Sequence, residues 1–155
     1  MGRMTKLPLS FAILCSLSSQ ALADCRHLGG LYSGTCHIKG LTFDEEIKMS
    51  LSIKQTGCEE FVVGQNDKRA YDYTVTGTLE ARPAYISYRK ATFDSQEGIL
   101  NLYRTLVGKI GIAVAVFQSH LKINADHSLS YDFEEFSVSQ GKKLTVISCP
   151  MLRKK

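Results

Sequence analysis

Four cysteines, Cys25, Cys36, Cys58 and Cys149, carry the most definite chemistry in this 155-residue chain. An even set in an exported protein reads as two disulfides. Zinc is the competing chemistry, but no pair has C-x-x-C spacing, and an oxidising compartment favours the disulfides. Other reactive residues are poorly arranged for chemistry. His27, His37, His120 and His127 form no H-E-x-x-H or other close ligand pair. Ser33 sits between Tyr32 and Gly34 without the G-x-S-x-G frame of an activated serine. Asp132, Glu134 and Glu135 come nearest to an acid–base set. Asp132 and Glu134 alternate with Tyr131 and Phe133, however, which turns them toward water. Asp44-Glu45-Glu46 lacks the ligand spacing of a calcium loop. The chain therefore reads as a non-enzyme with no catalytic residue, metal site or cofactor.

Tyrosines offer a different chemistry. Tyr32, Tyr71, Tyr73 and Tyr131 fall at alternating positions that face inward if their segments are strands. Each has an apolar ring and a polar tip that needs a partner when buried. Small-molecule pockets are lined in this way. The expected liners are Tyr32, Met49, Leu51, Tyr73, Val75 and Tyr131. A filled core with tyrosine hydroxyls at its rim is the alternative, and the sequence leaves both open.

What positions these residues is a repeated alternation. Ile47, Met49, Leu51 and Ile53 alternate with Lys48, Ser50, Ser52 and Lys54, giving one dry and one wet face. Segment 31–39 places Tyr32, Gly34, Cys36 and Ile38 on one face. Segments 60–64, 70–80, 84–93, 121–123, 129–134 and 144–149 read as further strands, and Pro150 ends the last. Arg153-Lys154-Lys155 then reads as a solvated tail. Segment 95–117 is different. Ile99, Tyr103, Leu106, Ile110, Ala113, Val114 and Phe117 recur at helical intervals, with Asn101, Arg104, Thr105 and Lys109 on much of the opposite face. Asp94 and Glu97 supply a box-like start. A helix is expected there, although Gly108 and the β-branched run 110–116 also suit two strands joined by a turn.

The first residues read as an address. Arg3 and Lys6 precede an apolar run from Leu7 to Leu17, and Ala21-Leu22-Ala23 is a cleavage site. Cleavage after Ala23 leaves residues 24–155 as a single domain and removes Cys15. Lipid attachment at Cys25 is the competing reading, but Asp24 is a poor neighbour for it. The formal charge falls from +4 to +2 when Arg3 and Lys6 leave. Lys68-Arg69, Arg89-Lys90 and Lys142-Lys143 are scattered, so they read as solubilising charge rather than a nucleic-acid surface. No later segment is long and apolar enough to cross a membrane as a helix.

Gly30-Leu31-Tyr32-Ser33-Gly34 and the strand–turn rhythm after it resemble small secreted lipocalin-like and avidin-like barrels. The fold expected is mainly β: an antiparallel meander of about seven or eight strands closing into a barrel, plus the one helix. Register then orders the cysteines. If 31–39 and 47–55 form a hairpin, facing positions sum to about 86, which brings Cys58 near Cys25 and holds Cys36 away from it. The expected bonds are Cys25–Cys58 and Cys36–Cys149, the second tying the last strand to the first. The function expected is an exported, periplasmic or secreted barrel that binds a small, partly apolar ligand. The alternative is an envelope or secreted interaction module, for instance an inhibitor, with a filled core and a protein partner.

Overall fold

A computed structural model describes residues 25–68 and 70–154. The leader, its cleavage site and the lipidation question lie outside the described residues. Among the described residues there are ten strands and no helix: β1 (Gly30–Gly40), β2 (Asp44–Thr56), β3 (Glu60–Gln65), β4 (Tyr71–Thr74), β5 (Thr78–Ala81), β6 (Tyr85–Asp94), β7 (Ile99–Gly108), β8 (Ala113–Ile123), β9 (Leu129–Ser137) and β10 (Lys142–Arg153). They form one antiparallel sheet in the order β4-β3-β2-β1-β10-β9-β8-β7-β6-β5. Neighbours in the sheet are neighbours in sequence except where β1 meets β10. The result is a meander curled into a nearly closed barrel, which leaves little unpaired edge.

The two edge strands, β4 and β5, come from one expected strand, 70–80. Gly77, at φ 93°, turns the chain between them, a conformation that L side chains rarely adopt. Side chains rather than a ladder hold this seam. Thr74 and Thr78 hydroxyls lie 3.3 Å apart, and Arg89 Nε donates to the Asp72 carbonyl at 2.8 Å.

The expected helix over 95–117 is instead a hairpin. β7 pairs with β8 from Ile99↔Lys122 to Leu106↔Ala115. Its inward residues are Leu100, Leu102, Arg104 and Leu106, and those of β8 are Ala115, Phe117, Ser119 and Leu121. Polar Arg104 and Ser119 point inward, while apolar Tyr103 and Val114 point outward and are exposed. Those exchanges blur the period-two pattern and leave a spurious helical one. This hairpin and the split of 70–80 raise the count to ten. Pro150 does not end the last strand either. β10 runs on to Arg153, which donates to the Gly29 carbonyl at 2.5 Å. The ladder with β1 is interrupted between Ser33↔Leu152 and His37↔Ser148, the interval that holds Pro150, which has no N–H to give.

Both disulfides have the expected partners. Facing positions on β1 and β2 sum to 83 (30 and 53), not about 86, because the strands run to Gly40 and Asp44 around a three-residue turn. The corrected register carries Cys58 toward Cys25, and their Cα atoms are 5.7 Å apart. On β1 and β10 facing positions sum to 185 (32 and 153), so Cys36 and Cys149 are directly opposed. Their Cα atoms are 4.3 Å apart, as in a pair without its own hydrogen bonds. This bond ties the first strand to the last.

The core fills one end of the barrel. Leu28, Tyr32, Leu100, Leu121, Leu129 and Met151 are fully buried there. Leu28 plugs the opening: its N–H donates to Gln55 Oε1 at 2.8 Å, and its carbonyl accepts from the Tyr32 hydroxyl at 2.7 Å. Phe61 packs edge-on against Phe93 with centroids 5.3 Å apart. This floor faces the β2–β3, β6–β7 and β8–β9 turns. The opposite end is open.

Candidate functional site

Above the floor the barrel encloses a cavity of about 390 Å³. Alternation along β2, β3, β4, β7, β8 and β9 supplies its wall, one inward residue at a time. Leu51, Val63, Leu102, Phe117 and Phe133 make the wall apolar. Tyr71, Tyr73, Tyr131, Ser119, Gln65 and Arg104 give it polar points, and exposed Lys68 joins them from the β3–β4 turn.

Burial raises the Tyr131 hydroxyl pKa to about 12, against the opposing effect of its hydrogen bond with Ser119. Burial also raises that of Tyr73, while the Arg104 and Arg89 charges pull it down. Both phenols are therefore neutral donors at ordinary pH. Arg104 lies between two rings, its guanidinium carbon 4.2 Å from the Tyr71 centroid and 5.3 Å from that of Phe117. Such stacking suits the flat, weakly hydrated guanidinium. Its Nε donates to Ser87 Oγ at 3.2 Å.

Of the six liners expected from sequence, Leu51, Tyr73 and Tyr131 meet in this cavity. Tyr32 is packed into the floor, with its hydroxyl used by Leu28. Met49 is buried one register step away, and its sulfur accepts from Gln65 Nε2 at 3.3 Å. Val75 lies in the bend after β4, where its N–H donates to the Glu59 carbonyl. Sequence reasoning missed Arg104, Phe117, Ser119 and Phe133. Arg104 had one legible signal: it continues the series Leu100, Leu102, which marks it as inward once the segment is read as a strand.

Each of the three carboxylates singled out in the sequence has a polar partner. Asp132 accepts from Ser148 Oγ at 2.6 Å, and Glu134 pairs with Lys143 at 2.5 Å. Glu135 points inward, opposite Phe117, and accepts from Thr145 at 3.3 Å. Among the described residues no group of three or more His, Cys, Asp or Glu is placed to hold a metal ion. No helix there is long and apolar enough to cross a membrane.

A larger depression, about 870 Å³, lies over β1, β2 and β10. Ser33, Thr35, Lys48, Ser50, Pro150 and Leu152 line it from outward register positions. It offers breadth without enclosure, so the interior cavity is the better candidate despite its smaller volume.

Fold and site together define a class: a disulfide-bonded, nearly closed antiparallel barrel with an interior cavity. In the solved structures this chain is similar to the crystal structure of Rv2717c from M. tuberculosis. That likeness has a TM-score of 0.56 at 14% identity and covers 83% of this chain and 93% of that one. At that identity the likeness is one of fold alone. No family model and no curated protein matches the chain.

Proposed function

We propose that this protein is an exported, non-enzymatic barrel that binds a small, partly apolar molecule in its interior. The observation that carries the reading is the cavity of about 390 Å³, which falls in the range of small-molecule sites. Its wall joins apolar side chains to a few convergent polar groups, the composition such sites share. Two disulfides support export, because these bonds persist in oxidising compartments. The leader read in residues 1–23 gives the route, to the periplasm or the exterior.

The alternative is an interaction module working through its loops. The apolar turns at the open end favour it: Ile110 is 82% exposed, Ile112 58% and Leu41 56%. Native mass spectrometry of the protein purified from its own host separates the two. A co-purified small mass supports the ligand reading. A stoichiometric protein partner with an empty interior supports the module and removes the ligand reading.

A further inference from the structure

Two arginines face each other across β6 and β7, Arg89 opposite Arg104, both pointing into the barrel. Like charges directly opposed across a sheet destabilise it. The protein neutralises only one of them. Arg89 is 5% exposed and is ion-paired with Glu80 while it donates to the Asp72 carbonyl. Arg104 has no carboxylate within ion-pairing distance among the described residues. Glu135, the inward carboxylate two strands away, bonds Thr145 instead. Tyr71 and Phe117 flank the guanidinium, and its only hydrogen bond to the described protein leaves through Nε. Among the described residues the two terminal amino groups have no acceptor, which leaves a planar fork on the cavity wall. A carboxylate matches that fork with two parallel hydrogen bonds.

Resting on the ligand reading above, we propose that the cavity takes a small amphipathic monocarboxylate. Arg104 holds the acid group, and Leu51, Leu102 and Phe133 cover the apolar body. Arg104 on the wall and Lys68 from the β3–β4 turn both bring positive charge to the cavity, which suits an anionic ligand. The Tyr73 and Tyr131 hydroxyls line the same cavity as neutral donors for the acid's remaining lone pairs.

The test uses a matched pair of probes, octanoate and octanol, which share an apolar chain and differ in the acid group. Each is titrated calorimetrically into the wild-type protein, Arg104→Met and Arg104→Lys. The wild type should prefer octanoate by about tenfold or more, the ratio that one charge-assisted pair supplies. Arg104→Met should abolish the preference by weakening octanoate far more than octanol. Arg104→Lys should restore part of it, which also guards against a misfolded methionine variant. Equal binding of both probes to the wild type overturns the acid assignment and leaves a cavity that binds apolar molecules. An octanoate preference that survives Arg104→Met overturns the role of Arg104. If neither probe binds and the host-purified protein carries no small mass, the ligand reading itself falls.

Discussion

The two ends of the barrel are made from the same ten strands and solve opposite problems. At the floor, inward positions hold Leu28, Leu100, Leu121, Leu129 and Met151, all fully buried. Higher up, the same strands contribute Arg104 from β7, Ser119 from β8 and Phe133 from β9, around a cavity. One strand thus changes character along its length: β7 packs Leu100 in the floor and presents Arg104 four residues later. The floor is where burial stabilises the fold, at roughly 25 cal/mol per Å² of apolar surface removed from water. The cavity end forgoes that gain and keeps unsatisfied capacity. Such regions supply function more often than stability.

The largest expected effect falls on the bond between first and last strand. Replacing Cys36 and Cys149 together by alanine opens a loop with a sequence separation of 113. The chain-entropy model puts the loss at up to about 5 kcal/mol, read by denaturant unfolding. A loss no larger than that of an ordinary surface change would show that the strand pairing closes the barrel without it.

Next comes the contrast between floor and wall. Leu100→Ala should cost about 3–4 kcal/mol, because it leaves a void in close-packed surroundings. Phe133→Ala, on the cavity wall, should cost only about 1–2 kcal/mol, since it enlarges a space already present. Equal costs would mean that the cavity end is packed like the floor.

The third test is alkaline pH. Burial holds the Tyr131 pKa at about 12, against 10.0 for the free side chain. Above pH 10 the unfolded chain loses this proton and the native state keeps it, so unfolding gains. The stabilisation is full below pH 10 and is lost as pH climbs through 12, by up to about 3 kcal/mol. Urea unfolding of wild type and Tyr131→Phe across this range checks it: the variant should lack that part of the decline.

The smallest effect distinguishes two glycines in the β7–β8 turn. Gly111 has φ 78°, so Gly111→Ala should cost about 1 kcal/mol in thermal unfolding. Gly108 needs no such conformation, and an added Cβ meets Val114 at an ordinary 3.5 Å, so Gly108→Ala should be close to neutral. The reverse order would place the turn three residues earlier.

Much of the fold was legible because alternation is local. Ile47, Met49, Leu51 and Ile53 share a face whatever the rest of the chain does, and Tyr32, Gly34, Cys36 and Ile38 likewise. The cysteine pairing was legible too, since even a register three residues off kept Cys36 away from Cys58. Segment 95–117 read as a helix because alternation breaks there: Arg104 occupies an inward position that packing alone would give to an apolar residue. Tyr32, Met49 and Val75 lie outside the cavity for a related reason. Tyr32 and Tyr73 are both inward tyrosines, and their own segments carry no mark of height along the barrel.

The sequence by itself determined that this chain makes strands, which side of most strands is dry, and which cysteines meet. These properties depend on a residue and its near neighbours, or on a bond that tolerates small errors of register. Only the tertiary structure decided that ten strands close on themselves and that one end is filled and the other hollow. It alone set Arg104 opposite Arg89 with no carboxylate of its own among the described residues. Those outcomes depend on which residues of distant strands come level with one another, and that is settled when β1 pairs with β10 and the two faces of the sheet become an inside and an outside.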